Sequence, residues 1–134
     1  MTHMLDTNVC VDVIRNRSHA LIDRLETHAV DSIAISTITL SELHHGVAKS
    51  QDPETNRVAL LEFLVPFLVL PFDGAAARVY GVIRSELERQ GTPIGPMDML
   101  IAAHALSQGS ILVTNNEREF RRVPDLSVEN WSIA

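Results

Sequence analysis

Short apolar runs that alternate with helical segments constrain this chain more than any other feature. "HMLD", "SIAIS", "FLVLP" and "SILVT" read as strands, and "LSVENW" as a short fifth. Between them the apolar spacing is helical. "NVCVDVIRN" comes first, then "SHALIDRLETHA" with Ser18 as N-cap, "TITLSELHHGVAKS" capped by Ser36, and "PETNRVALLEFLV" opened by Pro53. "DGAAARVYGVIRSELERQG" is closed by Gly91, and "PMDMLIAAHALSQG" has Pro96 in its first turn and Gly109 at its end. Strands this apolar are buried on both faces, the habit of parallel strands covered by helices. The order therefore predicts an α/β fold: three layers, α/β/α, around a central, mostly parallel sheet of four to five strands. No repeat, linker or low-complexity tract interrupts it, so residues 1–134 are expected to form a single domain.

Composition narrows the function. Cys10 is the sole cysteine, so no intrachain disulfide can form, and the opening residues lack the regions of a signal peptide; the expected location is the cytoplasm. The longest apolar run, "LLEFLVPFLVL", carries Glu62 and Pro66 and is too short to span a bilayer, so no membrane segment is expected. The net charge of -6 weighs against broad nucleic-acid binding. Yet Lys49 is the sole lysine among 11 basic residues. Arginine is the side chain suited to bidentate contact with phosphate, although a general habit of arginine use explains the bias equally well.

In parallel sheets, ligands bind beyond the carboxyl ends of the strands, where strand order reverses. Asp6 ends the first strand and Thr114 the fourth. A buried, unpartnered carboxylate costs several kcal/mol or more, so Asp6 needs a reason. It can cap the first helix, with Thr7 and Asn8 competing for that place or supporting the site. Glu42 lies opposite the stripe Leu40, Leu43 and Val47, where an ordinary solvated role is credible. Asp98 falls in the first turn of its helix, which favours an acid on structural grounds alone. The sharper reading is that Asp6, Glu42 and Asp98 converge above the sheet as ligands for a divalent cation, which would offset their mutual repulsion.

"MLDTN", "SxxTLSELHHG" around Glu42, "IGPMDMLIAAHA" around Asp98 and "ILVTNNEREF" together resemble the motifs of PIN-domain ribonucleases, and more narrowly the VapC toxins of bacterial toxin–antitoxin pairs, of the enteric type. The resemblance covers essentially the whole chain in order and spacing. It implies a Mg2+- or Mn2+-dependent endoribonuclease held inactive by a small VapB-type antitoxin. Asp6, Glu42 and Asp98 match the family's acidic triad, with Thr114 as its supporting hydroxyl. The position two after Thr114, often Asp in the family, is Asn116 here. Asn116 still offers a neutral oxygen to the metal, and Glu119 is placed to supply the charge. The enteric resemblance also implies a tRNA substrate, with the initiator tRNA anticodon loop foremost. A toxin homodimer is expected, assembled with antitoxin into a heterotetramer or larger and reaching operator DNA only through the antitoxin.

With Asp6 and Asp98 holding the metal and Glu42 orienting the attacking water, cleavage leaves a 5'-phosphate and a 3'-hydroxyl. A metal-free route needs a histidine pair, but His44 and His45 are adjacent and point about 100° apart around a helix. Aromatic content of 4% leaves no stacking platform for unstructured RNA, so a folded RNA is the expected substrate. Arg84 and Arg89 flank "SELE" and are candidate phosphate contacts, unless they pair with Glu88 and neighbouring acids. An apolar groove around Leu40, Leu43 and Val47 is the expected seat of the antitoxin. A receiver-like Mg2+-binding phospho-switch would want a lysine after a late strand, and "ILVTNN" has none. A PIN module that only docks a partner would not need the intact triad, though Asn116 leaves that reading open.

Overall fold

The computed structural model describes residues 2–133. β1 (His3–Leu5) leads into α1 (Thr7–Ile14) and α2 (His19–Glu26); a 3-10 turn at Val30–Ser32 precedes β2 (Ile33–Ser36). α3 (Thr37–Ala48) and α4 (Pro53–Leu64) lead to β3 (Leu68–Leu70), and α5 (Gly74–Gln90) and α6 (Pro96–Ser107) to β4 (Ile111–Val113). α7 (Glu117–Phe120) and β5 (Val128–Glu129) follow. Every strand pairing is parallel, in the order β3-β2-β1-β4-β5. The expected "mostly parallel" sheet is thus parallel throughout, and the short fifth strand closes one edge.

The helices start where local chemistry starts them. Ser18, Ser36, Asp52 and Asp73 each accept a backbone N–H from the first turn that follows, satisfying donors that no helix can satisfy itself. Gly91 takes a left-handed conformation, φ 69°, and ends α5, a place where a Cβ would be strained. Period-two alternation then sorts the strands between two cores. Met4 and Leu112 pack with Ile83, Leu87, Ile101 and Phe120 on the α5–α6 side. Leu5, Ile33, Ile35 and Val113 pack with Val9, Leu43, Leu60 and Trp131 on the other. Each fully buried side chain of this kind contributes about 1.5–3 kcal/mol, enough together to hold a strained polar site on the sheet.

Topology places that site. β2 and β3 extend the sheet to one side of β1, and the chain then returns to add β4 and β5 on the other. Strand order therefore reverses between β1 and β4, and the crevice beyond their carboxyl ends is flanked by Asp6 and Thr114.

Candidate active site

Asp6 is 2% exposed. Its backbone N–H continues the ladder to Val113 O at 3.1 Å, while its two carboxylate oxygens divide their work. Oδ1 accepts the Val9 N–H at 2.9 Å, capping α1. Oδ2 accepts the Thr114 hydroxyl at 2.5 Å, and Thr114 Oγ1 itself accepts the Asn116 N–H at 2.9 Å. Asp6 is thus both a cap and a member of the pocket. Burial raises its pKa, the bonds from Thr114 and Val9 oppose that rise, and the charges of Asp12 and Glu42 add to it.

Glu42 reaches the pocket from α3, half-buried, and accepts the Thr7 hydroxyl at 2.5 Å. Thr7 is the first residue of α1, so the cap that orients Asp6 also orients the residue that holds Glu42. Asn8 is exposed and makes no side-chain hydrogen bond among the described residues. Of the two neighbours expected to support Asp6, Thr7 touches a site carboxylate and Asn8 touches none.

Asp98 is the third residue of α6. Its pKa is raised to about 6 by burial first, then by the charges of Glu119, Asp6 and Glu42, and by a hydrogen bond to Glu119. Glu119 moves the other way. The Gly95 N–H at 2.8 Å is the chief cause of its lowered pKa; the Asn116 side-chain amide at 2.8 Å, the Asp98 carboxyl and the charge of Arg122 add to it. The two carboxyls are thus pushed in opposite directions, and Asp98 is the one of the pair that takes up a proton first as pH falls. A Cβ at Gly95 would lie 3.5 Å from Asp98 Oδ2 and 3.7 Å from Glu119 Oε1, so the missing side chain leaves the mouth of the pair open.

Asn116 donates its side-chain amide to Glu119 Oε2 at 2.8 Å, since only the NH2 end can donate to a carboxylate. Its Oδ1 accepts no hydrogen bond among the described residues, so the neutral oxygen expected from the sequence stays available beside the pocket. Arg84 and Arg89 sit on α5, where Arg84 donates to Tyr80 at 3.0 Å and lies 3.6 Å from Glu88, and Arg89 pairs with Glu86. Those bonds take the local pairing weighed against phosphate contact. His44 and His45 are both exposed on α3. His104, buried, meets Ser36 Oγ at 2.7 Å in the core, and burial lowers its pKa.

None of the ion pairs among the described residues involves Asp6, Glu42, Asp98 or Glu119. The pocket therefore holds excess negative charge on an all-oxygen donor set, which suits a hard divalent cation. Among the described residues, no three Asp, Glu, His or Cys side chains stand close enough to cage a metal by themselves. Magnesium does not require that, since it uses one or two carboxylates and keeps several waters. On the Glu42 side the pocket continues into a groove of about 320 Å³ between α1, α3 and α4, with Val11, Ile14, Leu43, Val47 and Leu60 as its apolar lining and Arg15 and Lys49 also along it.

A parallel sheet in this order, with carboxylates gathered at its switch point, defines an α/β domain with an acidic site at the strand-order reversal. The PIN domain family model matches residues 3–126, and the chain belongs to that family. It is 47% identical over 129 residues to the tRNA(fMet)-specific endonuclease VapC of Shigella flexneri, covering 96% of this chain and 97% of that one. The structure of VapBC2 from Rickettsia felis bound to a promoter DNA fragment superposes with a TM-score of 0.93 at 43% identity, over 98% of this chain and 99% of that one. DNA-bound VapBC from Salmonella typhimurium gives 0.93 at 44% identity, over 98% of each chain. The similarity to these VapC proteins therefore extends over nearly the whole chain.

Two features of the site carried little sequence signal. Gly95 acts through its backbone N–H, which no side-chain pattern announces. Arg122 donates to Pro93 O at 3.0 Å beside that glycine, a contact between segments far apart in sequence.

Proposed function

We propose that this chain is the toxin of a type II toxin–antitoxin pair: one domain over residues 1–134 that cuts structured RNA with bound Mg2+ or Mn2+. The observation that carries the reading is the set of carboxylates at the switch point, none of which is in an ion pair among the described residues. Asp6 and Asp98 would hold the cation, with Asn116 Oδ1 as a further neutral donor; Thr114 and the Val9 N–H fix the orientation of Asp6, and the Asn116 amide holds Glu119. When bound, the cation supplies Lewis acidity to a non-bridging phosphate oxygen and makes a nearby water a better acid. Glu42, oriented by Thr7, takes a proton from the attacking water. In-line attack forms the new P–O bond and breaks the P–O3' bond, and the departing O3' takes a proton from solvent water, leaving a 5'-phosphate and a 3'-hydroxyl.

The full-length likeness to an endonuclease named for tRNA(fMet) supports initiator tRNA as substrate, with its anticodon loop as the exposed single-stranded target, and so a cytoplasmic site of action. The neighbours solved as VapBC assemblies support a VapB-type antitoxin as partner. Its amphipathic segment suits the apolar groove beside Glu42, and a basic side chain from it would find the acidic pocket. A toxin homodimer, joined with antitoxin into a heterotetramer or larger, would contact operator DNA through the antitoxin.

Incubating the purified protein with an initiator tRNA transcript tests this reading. Cleavage should stop in EDTA, return with Mg2+ or Mn2+, and return little with Ca2+, whose longer bonds and looser geometry suit the site less well. Chelator-resistant cleavage ending in 2',3'-cyclic phosphate would replace the reading with a 2'-hydroxyl mechanism. Co-expression with the neighbouring open reading frame checks the partner: full toxicity beside a soluble neighbour, with no complex on size exclusion, would leave only a metal-dependent nuclease.

A further inference from the structure

Most of the basic side chains are already engaged. Arg17, Arg24, Arg57, Arg84, Arg89 and Arg121 each lie within ion-pair distance of an acid. Arg122 has no carboxylate at that distance among the described residues, although it stands beside the most acidic part of the molecule. Its Nη1 donates to Pro93 O at 3.0 Å. Two residues further on, the Gly95 N–H donates to Glu119 Oε1 at 2.8 Å. The 116–122 segment is thus tied to the turn before α6 at two points, one inside the acid pocket and one on its rim.

Arg122 is exposed. A guanidinium carries five N–H donors in a rigid fork, and one of them serves Pro93. A cation that neutralised the pocket would lie against Glu119; the Pro93 carbonyl holds this one outside it. Its charge is nonetheless felt at Glu119, while no basic side chain is among the leading influences on Asp6 or Asp98. A chain of net charge -6 must draw a polyanion locally rather than globally. The rim of the pocket is where a strand entering it would bring its next phosphate.

We propose that Arg122 grips the RNA backbone, holding a phosphate adjacent to the one that enters the acid pocket. The inference rests on the nuclease reading above and names a substrate contact within it. Its rival is a purely structural Arg122 that staples the turn at Pro93. Charge separates the two, since glutamine can still donate to the Pro93 carbonyl but cannot pair with phosphate as an ion.

The experiment measures kcat, KM and the salt dependence of kcat/KM on one RNA stem-loop that the wild type cuts, for Arg122→Gln, Arg122→Lys and, as an exposed control on α4, Arg57→Gln. Arg122→Gln should raise KM about tenfold, the equivalent of one charge-assisted hydrogen bond, with kcat unchanged. Its salt slope should become shallower by about 0.7, the loss of one single-strand phosphate contact. Arg122→Lys should restore the slope and part of KM, and Arg57→Gln should change neither. If Arg122→Gln lowers Tm or kcat while KM and slope stay at wild-type values, Arg122 is a staple and the inference is overturned. If the wild type shows no metal-dependent cleavage of any RNA, the nuclease reading fails and takes this inference with it.

Discussion

The two walls of the acid pocket are built on opposite principles. On the Glu42 side, α1, α3 and α4 leave a groove whose lining is largely aliphatic, with Arg15 and Lys49 along it and Glu42 held by Thr7. On the Glu119 side, Gly95, Asn116, Asp98 and Arg122 are tied into one hydrogen-bonded and charged network. A groove lined with aliphatic side chains gains from being covered by another apolar surface. A wall of fixed donors and charges gains from an ion placed against it. On the function proposed above, the contrast would divide the labour: one wall would receive a partner protein, the other would position substrate and cation, and Asp6 would be the floor they share.

The largest effect should come from that floor. Asp6→Asn preserves the cap, because Asn caps a helix about as well as Asp. Cleavage should nevertheless fall by about a thousandfold or more, with an unchanged circular dichroism spectrum. Near-normal cleavage by a folded Asp6→Asn protein would remove the common floor and the comparison with it. Asp98→Asn should lose a similar factor and also change the pH response. The Asp98 pKa rises from 3.8 to about 6 on folding, so in this window the folded state binds more protons than the unfolded one, and metal-free stability falls as pH rises through it. Asp98→Asn lacks that loss and should melt above wild type at pH 7 without metal. Equal melting temperatures there would deny the strain at Asp98.

Glu42→Gln should be milder. The amide still accepts the Thr7 hydroxyl, but it cannot take a proton, so kcat should fall about a hundredfold with less change in Mg2+ half-saturation than for Asp98→Asn. Next comes the groove. Val47→Asp places a charge on its apolar lining and should weaken antitoxin binding about thirtyfold, as at an interface hot spot, leaving cleavage by the free toxin unaltered. If cleavage falls as far as binding, the two walls are one functional unit.

Much of this was readable from the chain because it is local. Ser36 before "TITLSEL", Pro53 before a helical period and Gly91 after one each act within a turn, so their roles needed no tertiary knowledge. Asp6 was readable for another reason: a carboxylate at the end of an apolar strand conflicts with burial unless something resolves the conflict. What stayed hidden depends on segments distant in sequence. The α7 turn Glu117–Phe120 spans 4 residues, too few for a periodic signal. The pairing of Arg84 and Arg89 with Glu88 and Glu86 was readable from helical spacing, whereas the bond from Arg84 to the Tyr80 hydroxyl became visible only with side chains placed. Arg122 gave no sign, since its carbonyl partner Pro93 lies 29 residues away.

The smallest effect should belong to Asn116, and it tests the polar wall most finely. Its amide donates to Glu119 Oε2 at 2.8 Å. Asn116→Asp removes that donor and sets another carboxylate against the Asp98–Glu119 pair. Repulsion should destabilise the metal-free protein by about 1 kcal/mol, or about 3 °C in Tm for a domain of this size. Mg2+ should restore the loss, because a cation in the pocket turns the added charge from a burden into a potential ligand. Cleavage at saturating Mg2+ should then stay within about twofold of wild type, whereas Glu119→Gln, which keeps the shape and loses the charge, should need more Mg2+ to reach its plateau. Thermal melts with and without Mg2+, beside a Mg2+ titration of cleavage, decide the matter. An Asn116→Asp protein that is folded but inactive at every Mg2+ concentration would show that the amide itself takes part in the reaction. A Glu119→Gln protein with a wild-type titration would place that carboxylate outside the metal's reach and make the polar wall a scaffold only.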